Sequence, residues 1–520
     1  MFGGLVALCL AMGALPATAV PEGPAYPSPE WAAREEANFA RAHEEGVREA
    51  TDPAFLTRLQ DQSAANIQAK VARDTADPTW IQGGGTFPEN VCGSWAYDCA
   101  GDPFLYPPGA PYNGTDAFYT DEAVVVPVVF YDDGGARLNG RVWAPKSSAP
   151  GDRLPGVVIE TGSVQAPEPL YWWFAETLVR SGYVVLTFDV RGQGYSDNHT
   201  PSGDLGTNFN SSVFWDGLVD AIDFFRSTPG QQYPWHSTYQ GVTYPTVTDA
   251  FNPLGDRLDP DRLGIVGHSL GATGVSIVQG YGAPGAPAWP GKIDAQNPVK
   301  VAVAWDNLSA NGSGFGGSGS PPAIPRVPAM GSSNDYDLTP HPYTSPPDPE
   351  AKKTAFHAWE EALIPSYQLV IQGGTHFEYS LIPNYPAPFP STNWKTWGNP
   401  FANHYSLAWL DRWLKLPGET GYADADARLL ADQDHAGFMS FYMRSARDYP
   451  DRAGFQHLCQ DIRAGCTDTA QPFTEAPAYY TPAGSGGLPN TAAGAPLLAA
   501  GAALLLALTG AAGVRARRRA

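Results

Sequence analysis

The sequence predicts an α/β fold: a mostly parallel sheet with helices on both faces and antiparallel strands at its N-terminal edge. Three observations carry this. Between residues 121 and 416, short runs of branched apolar residues alternate with longer stretches of helical periodicity, the order that produces parallel strands joined by crossover helices. The runs themselves are apolar almost throughout, as strands covered on both faces must be. The first two runs are instead separated only by Asp132-Asp133-Gly134-Gly135, a turn short enough to fold them into a hairpin.

In chain order, "EAVVVPVVFYDDGGARLNGRVWAP" reads as that hairpin and "LPGVVIE" (154 to 160) as a short buried strand. The helix "LYWWFAETLVRSG" and the strand "YVVLTFDV" (183 to 190) follow. In "SVFWDGLVDAIDFFRS" the apolar residues Phe214, Leu218, Ile222 and Phe225 recur at helical spacing and define a core-facing stripe. An insertion at 229 to 260 precedes the strand "RLGIVG" and a helix beginning "GATGVSIVQG". Then come the strands "VKVAVAW" and "VPAMG", the helix "DPEAKKTAFHAWEEAL", the strand "YQLVIQG" and the helix "NHYSLAWLDRWLKL". Upstream, residues 28 to 75 show charged helical periodicity on either side of Pro53, and residues 82 to 117 are rich in Gly, Pro and Asn. The resulting division is a leader at 1–19, an N-terminal helical extension and disulfide loop at 20–120, the α/β domain at 121–450, a second disulfide loop and linker at 451–487, and a tail at 488–520.

A net charge of -21 and the lack of a basic patch exclude nucleic acid as a partner, because a phosphate backbone requires a lysine and arginine footprint. The first residues, "MFGGLVALCLAMGALPATA", are uncharged and apolar and close on Ala17-Thr18-Ala19, a small-residue cleavage pattern. They read as a signal peptide lacking the usual basic n-region. The tail combines Leu488-Pro489-Asn490-Thr491, an apolar run from about 495 to 514 that is long enough to span a bilayer, and Arg515, Arg517, Arg518 and Arg519, which stay cytoplasmic. This tail resembles the sorting signals of Gram-positive surface proteins, which sortase cleaves. Ala492 stands where those signals have glycine, so the resemblance implies a membrane anchor and leaves wall attachment open. Beyond Cys9 there are four cysteines, Cys92, Cys99, Cys459 and Cys466. Closeness in sequence pairs them as two local disulfides, and neither pair has the C-x-x-C spacing of a zinc site.

The chemistry concentrates at "RLGIVGHSLGATG" (262 to 274). Ser269 lies between Gly267 and Gly271, after an apolar strand and before a helix rich in small residues. A G-x-S-x-G match is weak in a chain with 56 glycines; the strand-turn-helix context gives it meaning, because only small flanking residues allow the sharp turn that exposes a nucleophilic hydroxyl. A serine needs a base, and the base needs an orienting acid. His376, in "YQLVIQGGTHFEYS", follows an apolar strand on a loop loosened by Gly373 and Gly374. His268 reads as packing or polar support, since the elbow turns a neighbour's side chain away from that of Ser269. The acid is expected at a strand end between Ser269 and His376: Asp335 first, then Asp337, then Asp306.

These residues, with "FDVRGQGYSD" at 188 to 197, resemble the α/β-hydrolase superfamily over residues 121 to 416; the D-x-R-G-x-G-x-S loop and the order Ser269, Asp335, His376 match it. The resemblance implies an α/β-hydrolase fold and a serine hydrolase of the esterase or lipase kind, which needs no metal or organic cofactor. It also implies an oxyanion hole built from the backbone N–H of Leu270 and that of Ser163 in "ETGSVQ", with Val164 as the substitute for Ser163. Asp189 and Arg191 read as ties for their loop. Tyr171, Trp172, Trp173 and Trp305 read as core, with a pocket wall as the alternative. The expected activity is cleavage of a small-molecule or lipid carboxylic ester at the cell surface. Peptide or amide hydrolysis on the same fold, and a non-catalytic surface protein on a hydrolase scaffold, are the competing readings. The stretches 229 to 260 and 307 to 327 are candidate lid segments.

Overall fold

The computed structural model describes residues 24–51, 53, 71–81, 118–163, 167–206, 210–235, 248–310, 319–336, 341–376, 378–380, 398–466 and 471–472. The leader, the Cys92 and Cys99 pair, Val164, Asp337, the tail from 488 and the middles of both candidate lid segments lie outside them.

Eleven strands form one sheet in the order β1-β2-β4-β3-β5-β6-β7-β8-β9-β10-β11. The hairpin β1 (Ala123–Tyr131) and β2 (Arg137–Pro145) is antiparallel, and β2 lies antiparallel to β4 (Val184–Phe188). From β4 through β3 (Leu154–Glu160), β5 (Leu258–His268), β6 (Val299–Trp305) and β7 (Ala329–Asn334) to β8 (Ser366–Ile371), every pairing is parallel. Helix α1 (Pro29–Thr51) precedes the sheet; α2 (Trp172–Arg180), α3 (Val213–Arg226), α4 (Leu270–Val278), α5 (Thr354–Glu361) and α6 (Gly398–Leu414) follow its strands.

Alternation along each parallel strand feeds two cores. Val157, Ile159, Val185, Val301, Val303 and Trp305 point toward α2 and α6, where Trp172, Phe174, Leu178, Tyr405 and Trp409 meet them. Val158, Leu186, Ile265, Ala302 and Ala304 point the other way, toward Phe214, Leu218, Ile222 and Phe225 of α3 and Val275 of α4. This is why the runs read as continuously apolar: either face of the strand removes its side chains from water, at roughly 1.5–3 kcal/mol for a fully buried large apolar side chain.

The sheet also runs on past β8. The strands β9 (Ala446–Pro450), β10 (Phe455–Cys459) and β11 (Gln471–Pro472) add an antiparallel edge opposite the hairpin, which the sequence does not predict. Cys459 and Cys466 form a disulfide that closes the chain immediately after β10. Of the N-terminal extension, α1 docks on the body through Trp31, Glu35 and Asn38, a stripe at helical spacing that is buried. Trp31 packs with Tyr442 and Met443, and Arg34 stacks over Phe441 and Tyr442.

Candidate active site

Strand β5 ends at His268 and α4 begins at Leu270, so the whole reversal falls on Ser269, which takes φ 59° and ψ -122°. A positive φ strains a non-glycine residue, and tight packing enforces it here. A Cβ on Gly267 would lie 2.4 Å from the carbonyl oxygen of Gly271, and one on Gly271 would lie 2.3 Å from that of Thr161. Both positions therefore exclude any side chain, which explains the glycine spacing around Ser269 physically. Gly274 brings α4 against α3 in the same way, since a Cβ there would lie 2.3 Å from the carbonyl oxygen of Phe214.

The register of β5 with β6 pairs His268 with Trp305. One residue further along, Ser269 donates its N–H to the Trp305 carbonyl at 2.9 Å, and Asp306 follows. The imidazole of His376 bridges the two strand ends: Nε2 lies 2.9 Å from Ser269 Oγ and Nδ1 lies 2.7 Å from Asp306 Oδ2. Burial pushes the Asp306 carboxyl up, but the hydrogen bond and charge of His376, with Lys352 and His268 behind them, hold its pKa below the usual carboxylate value. An ionised acid thus orients a base that faces a hydroxyl.

This corrects the acid. Asp335, the first candidate from sequence, is committed elsewhere: its Oδ2 accepts the Gly373 N–H at 2.7 Å and the Asn38 amide at 3.2 Å, and its Oδ1 accepts the Ser440 hydroxyl. Both ring nitrogens of His376 are already taken by Ser269 and Asp306. The reason is lateral position. β6 is the neighbour of β5 and β7 is one strand further out, so the strand end beside Ser269 carries Asp306. Asp335 acts behind the base, gripping the Gly373 turn from which His376 projects.

On the other side of Ser269 lies the loop after β3. A Cβ on Gly162 would stand 3.3 Å from Ser269 Cβ and 2.9 Å from the Tyr171 hydroxyl, so the loop packs directly against the elbow and the N–H of Ser163 follows at once. Leu270, the first residue of α4, supplies a helix N-terminal N–H. Gln193 donates from Nε2 to Thr161 Oγ1 at 3.0 Å and to the Gly162 carbonyl at 2.8 Å. The loop after β4 therefore braces the one after β3. It is itself held by Asp189, which accepts the N–H groups of Glu168 and Tyr195, and by Arg191 paired with Asp132. Glu160, at the end of β3, is fully buried with neither carboxyl oxygen partnered among the described residues.

Sequence reasoning misses Gln193 and underrates Tyr171. Tyr171, Trp172, Trp173 and Trp305 are all buried, with Trp173 stacked on Trp305 at 5.2 Å, so they are core. Yet the Tyr171 hydroxyl also accepts the Gly162 N–H at 3.0 Å and lies 2.8 Å from His268 Nδ1. Burial, reinforced by the neighbouring His376, drives the His268 pKa down to about 3, so this histidine stays neutral. Among the described residues no group of three or more His, Cys, Asp or Glu side chains is placed to hold a metal ion, and no helix is long and apolar enough to cross a membrane.

A family model for the alpha/beta hydrolase fold matches residues 161–278, from the loop after β3 to the end of α4. A search of curated proteins finds no match. Among solved structures, the chain is similar to a hypothetical protein from Pseudomonas aeruginosa at 19% identity and a TM-score of 0.24, covering 36% of this chain and 43% of that one, less than half the length of either. The architecture is the α/β-hydrolase fold, with its mostly parallel sheet and antiparallel N-terminal edge. The family match points to a hydrolase.

Proposed function

We propose that the protein is a serine hydrolase that cleaves carboxylic esters through an acyl-enzyme. The observation that carries this reading is the unbroken hydrogen-bonded chain Ser269 Oγ, His376, Asp306 at 2.9 and 2.7 Å, on a serine held at positive φ. As Ser269 Oγ bonds to the ester carbonyl carbon, its proton passes to His376 Nε2, and Asp306 stabilises the imidazolium. Charge develops on the carbonyl oxygen, where the N–H groups of Leu270 and Ser163 receive it. Collapse breaks the bond to the alcohol oxygen, which leaves with the proton from His376. Water then repeats the cycle: it gives a proton to His376, attacks the acyl carbon and releases the acid and free Ser269.

The substrate in this reading is a small-molecule or lipid ester met outside the cell. The leader at 1–19 and the apolar tail with its arginine cluster support a secreted protein held at the membrane, with sortase as the partner of the Leu488-Pro489-Asn490-Thr491 motif.

Labelling of the purified protein by a fluorophosphonate probe tests the nucleophile. We expect labelling that disappears in Ser269→Ala and His376→Ala, together with turnover of p-nitrophenyl esters; a folded wild type that neither labels nor turns over esters overturns the reading. Anilides of amino acids in the same assay report on the amide alternative, which prevails if they are cleaved and the esters are not.

A further inference from the structure

We propose that Tyr171 and His268 form a positioning pair that fastens the oxyanion loop to the loop carrying the base, with the nucleophile's own backbone as the point of attachment. The inference rests on the reading of Ser269 and His376 as nucleophile and base.

The two nitrogens of the His268 ring face chemically different partners. Nε2 lies 2.7 Å from the backbone carbonyl oxygen of His376, which only accepts, so Nε2 carries the hydrogen. In the neutral ring Nδ1 is then bare and accepts the Tyr171 hydroxyl at 2.8 Å. With its hydrogen so committed, the Tyr171 oxygen accepts the Gly162 N–H at 3.0 Å. Three hydrogen bonds run in one direction, from Gly162 through Tyr171 and His268 to His376, and bonds aligned in this way reinforce one another in a buried setting.

The ends of this chain matter more than its middle. Gly162 immediately precedes Ser163, whose N–H is one of the two oxyanion donors. The far end is the carbonyl of the residue whose ring serves as base. Between them, His268 is the residue before Ser269. A single buried side chain therefore sets the spacing among oxyanion donor, nucleophile and base, and its ring packs 4.7 Å from that of His376. Packing alone would be met by an apolar ring. Satisfying both nitrogens is what a positioning role requires.

The experiment measures kcat and KM for p-nitrophenyl acetate on the full chain, with melting curves, for Tyr171→Phe, His268→Leu and His268→Gln. A misplacement of reacting groups by about 1 Å costs up to about 100-fold in rate. Tyr171→Phe and His268→Leu are expected to lose about 10- to 100-fold in kcat with KM unchanged, the pattern of an interaction that acts on transition-state geometry. Glutamine places an amide N–H near the depth of Nε2, donates to the His376 carbonyl and restores part of the loss. Wild-type kcat in Tyr171→Phe, or a glutamine variant no better than leucine, overturns the inference while leaving the hydrolase reading intact. If leucine prevents folding, Tyr171→Phe decides alone, because it removes one atom and keeps the ring. An inactive, unlabelled wild type brings down the hydrolase reading and this inference with it.

Discussion

Asn38 on α1 donates its side-chain amide to the Asp335 carboxylate at 3.2 Å, across 297 residues of chain. The same carboxylate holds the Gly373 N–H of the base loop, so the N-terminal helix reaches the active site through one side chain. Asn38→Leu removes a donor from a buried carboxylate, and we expect about 1–3 kcal/mol of lost stability in urea unfolding, with a smaller fall in kcat than any triad substitution gives. Unchanged unfolding would mean that α1 is merely laid against the body.

The two aspartates separate cleanly by substitution. Asp306→Asn should lower kcat by about 10,000-fold with little effect on the melting temperature, since the base loses the anion that orients it. Asp335→Asn should do the reverse, costing about 1.5–3 kcal/mol of stability as the hydrogen bonds to a buried carboxylate are weakened, while keeping far more of the activity. Parallel kinetics and melting curves check both.

Gly271→Ala tests the crowding behind the elbow. Its new methyl group meets the Thr161 carbonyl oxygen at 2.3 Å, and overpacking of this kind costs about 1–3 kcal/mol. Because the clash pushes the loop after β3 away from Ser269, fluorophosphonate labelling should slow markedly even in the fraction that folds. Labelling at the wild-type rate contradicts this.

Glu160 gives a pH-dependent outcome. Burial raises its pKa well above the ordinary value, so the folded protein holds it protonated. In the unfolded chain it ionises near that ordinary value. Between the two pKa values the native state binds more protons than the unfolded state, and stability falls as pH rises through that window. Glu160→Gln keeps the shape and removes the titration, so its melting temperature should gain on the wild type as pH rises above the ordinary carboxylate value. A difference that does not grow with pH argues against a buried neutral carboxyl.

At the far edge of the sheet, replacing Cys459 and Cys466 by serine opens a loop with a sequence separation of 7. Chain-entropy arguments put the cost at about 2–3 kcal/mol, expressed at β10 and away from Ser269. We expect lower thermal stability with unchanged esterase kinetics.

How much of this is readable from sequence follows from which forces are local. The hairpin announces itself by its short turn, and most of strands β3 to β8 by burial on both faces, which writes apolar runs such as "VVIE" and "VAVAW". β9 and β10, "ARDYP" and "FQHLC", carry charged and polar residues; at an open edge, pairing asks little beyond backbone hydrogen bonds, and no pattern marks them. Ser269 and His376 are legible from glycine spacing and strand context over a few residues. Asp306 and Asp335 are not distinguishable in that way, because each follows an apolar strand and the choice depends on which strand neighbours β5, a property of the sheet and not of either segment. Tyr171 is hidden for a related reason: its hydroxyl acts on groups 97 residues away while its ring looks like ordinary core.

The docking of α1 also sets an order of events during biosynthesis. Its buried polar stripe finds Asn38 a partner at Asp335, and Glu35 partners at Tyr343 and Tyr442, all of them made several hundred residues later. Among the described helices, α1 leaves the ribosome first and is among the last to be seated. Until residues 440 to 442 have emerged, Glu35 lacks its Tyr442 partner, and Asp335, which grips the Gly373 turn, lacks the Ser440 hydroxyl. The hydrogen bonds that hold the Gly373 turn are coupled in this way to residues at both ends of the described chain, Asn38 and Ser440.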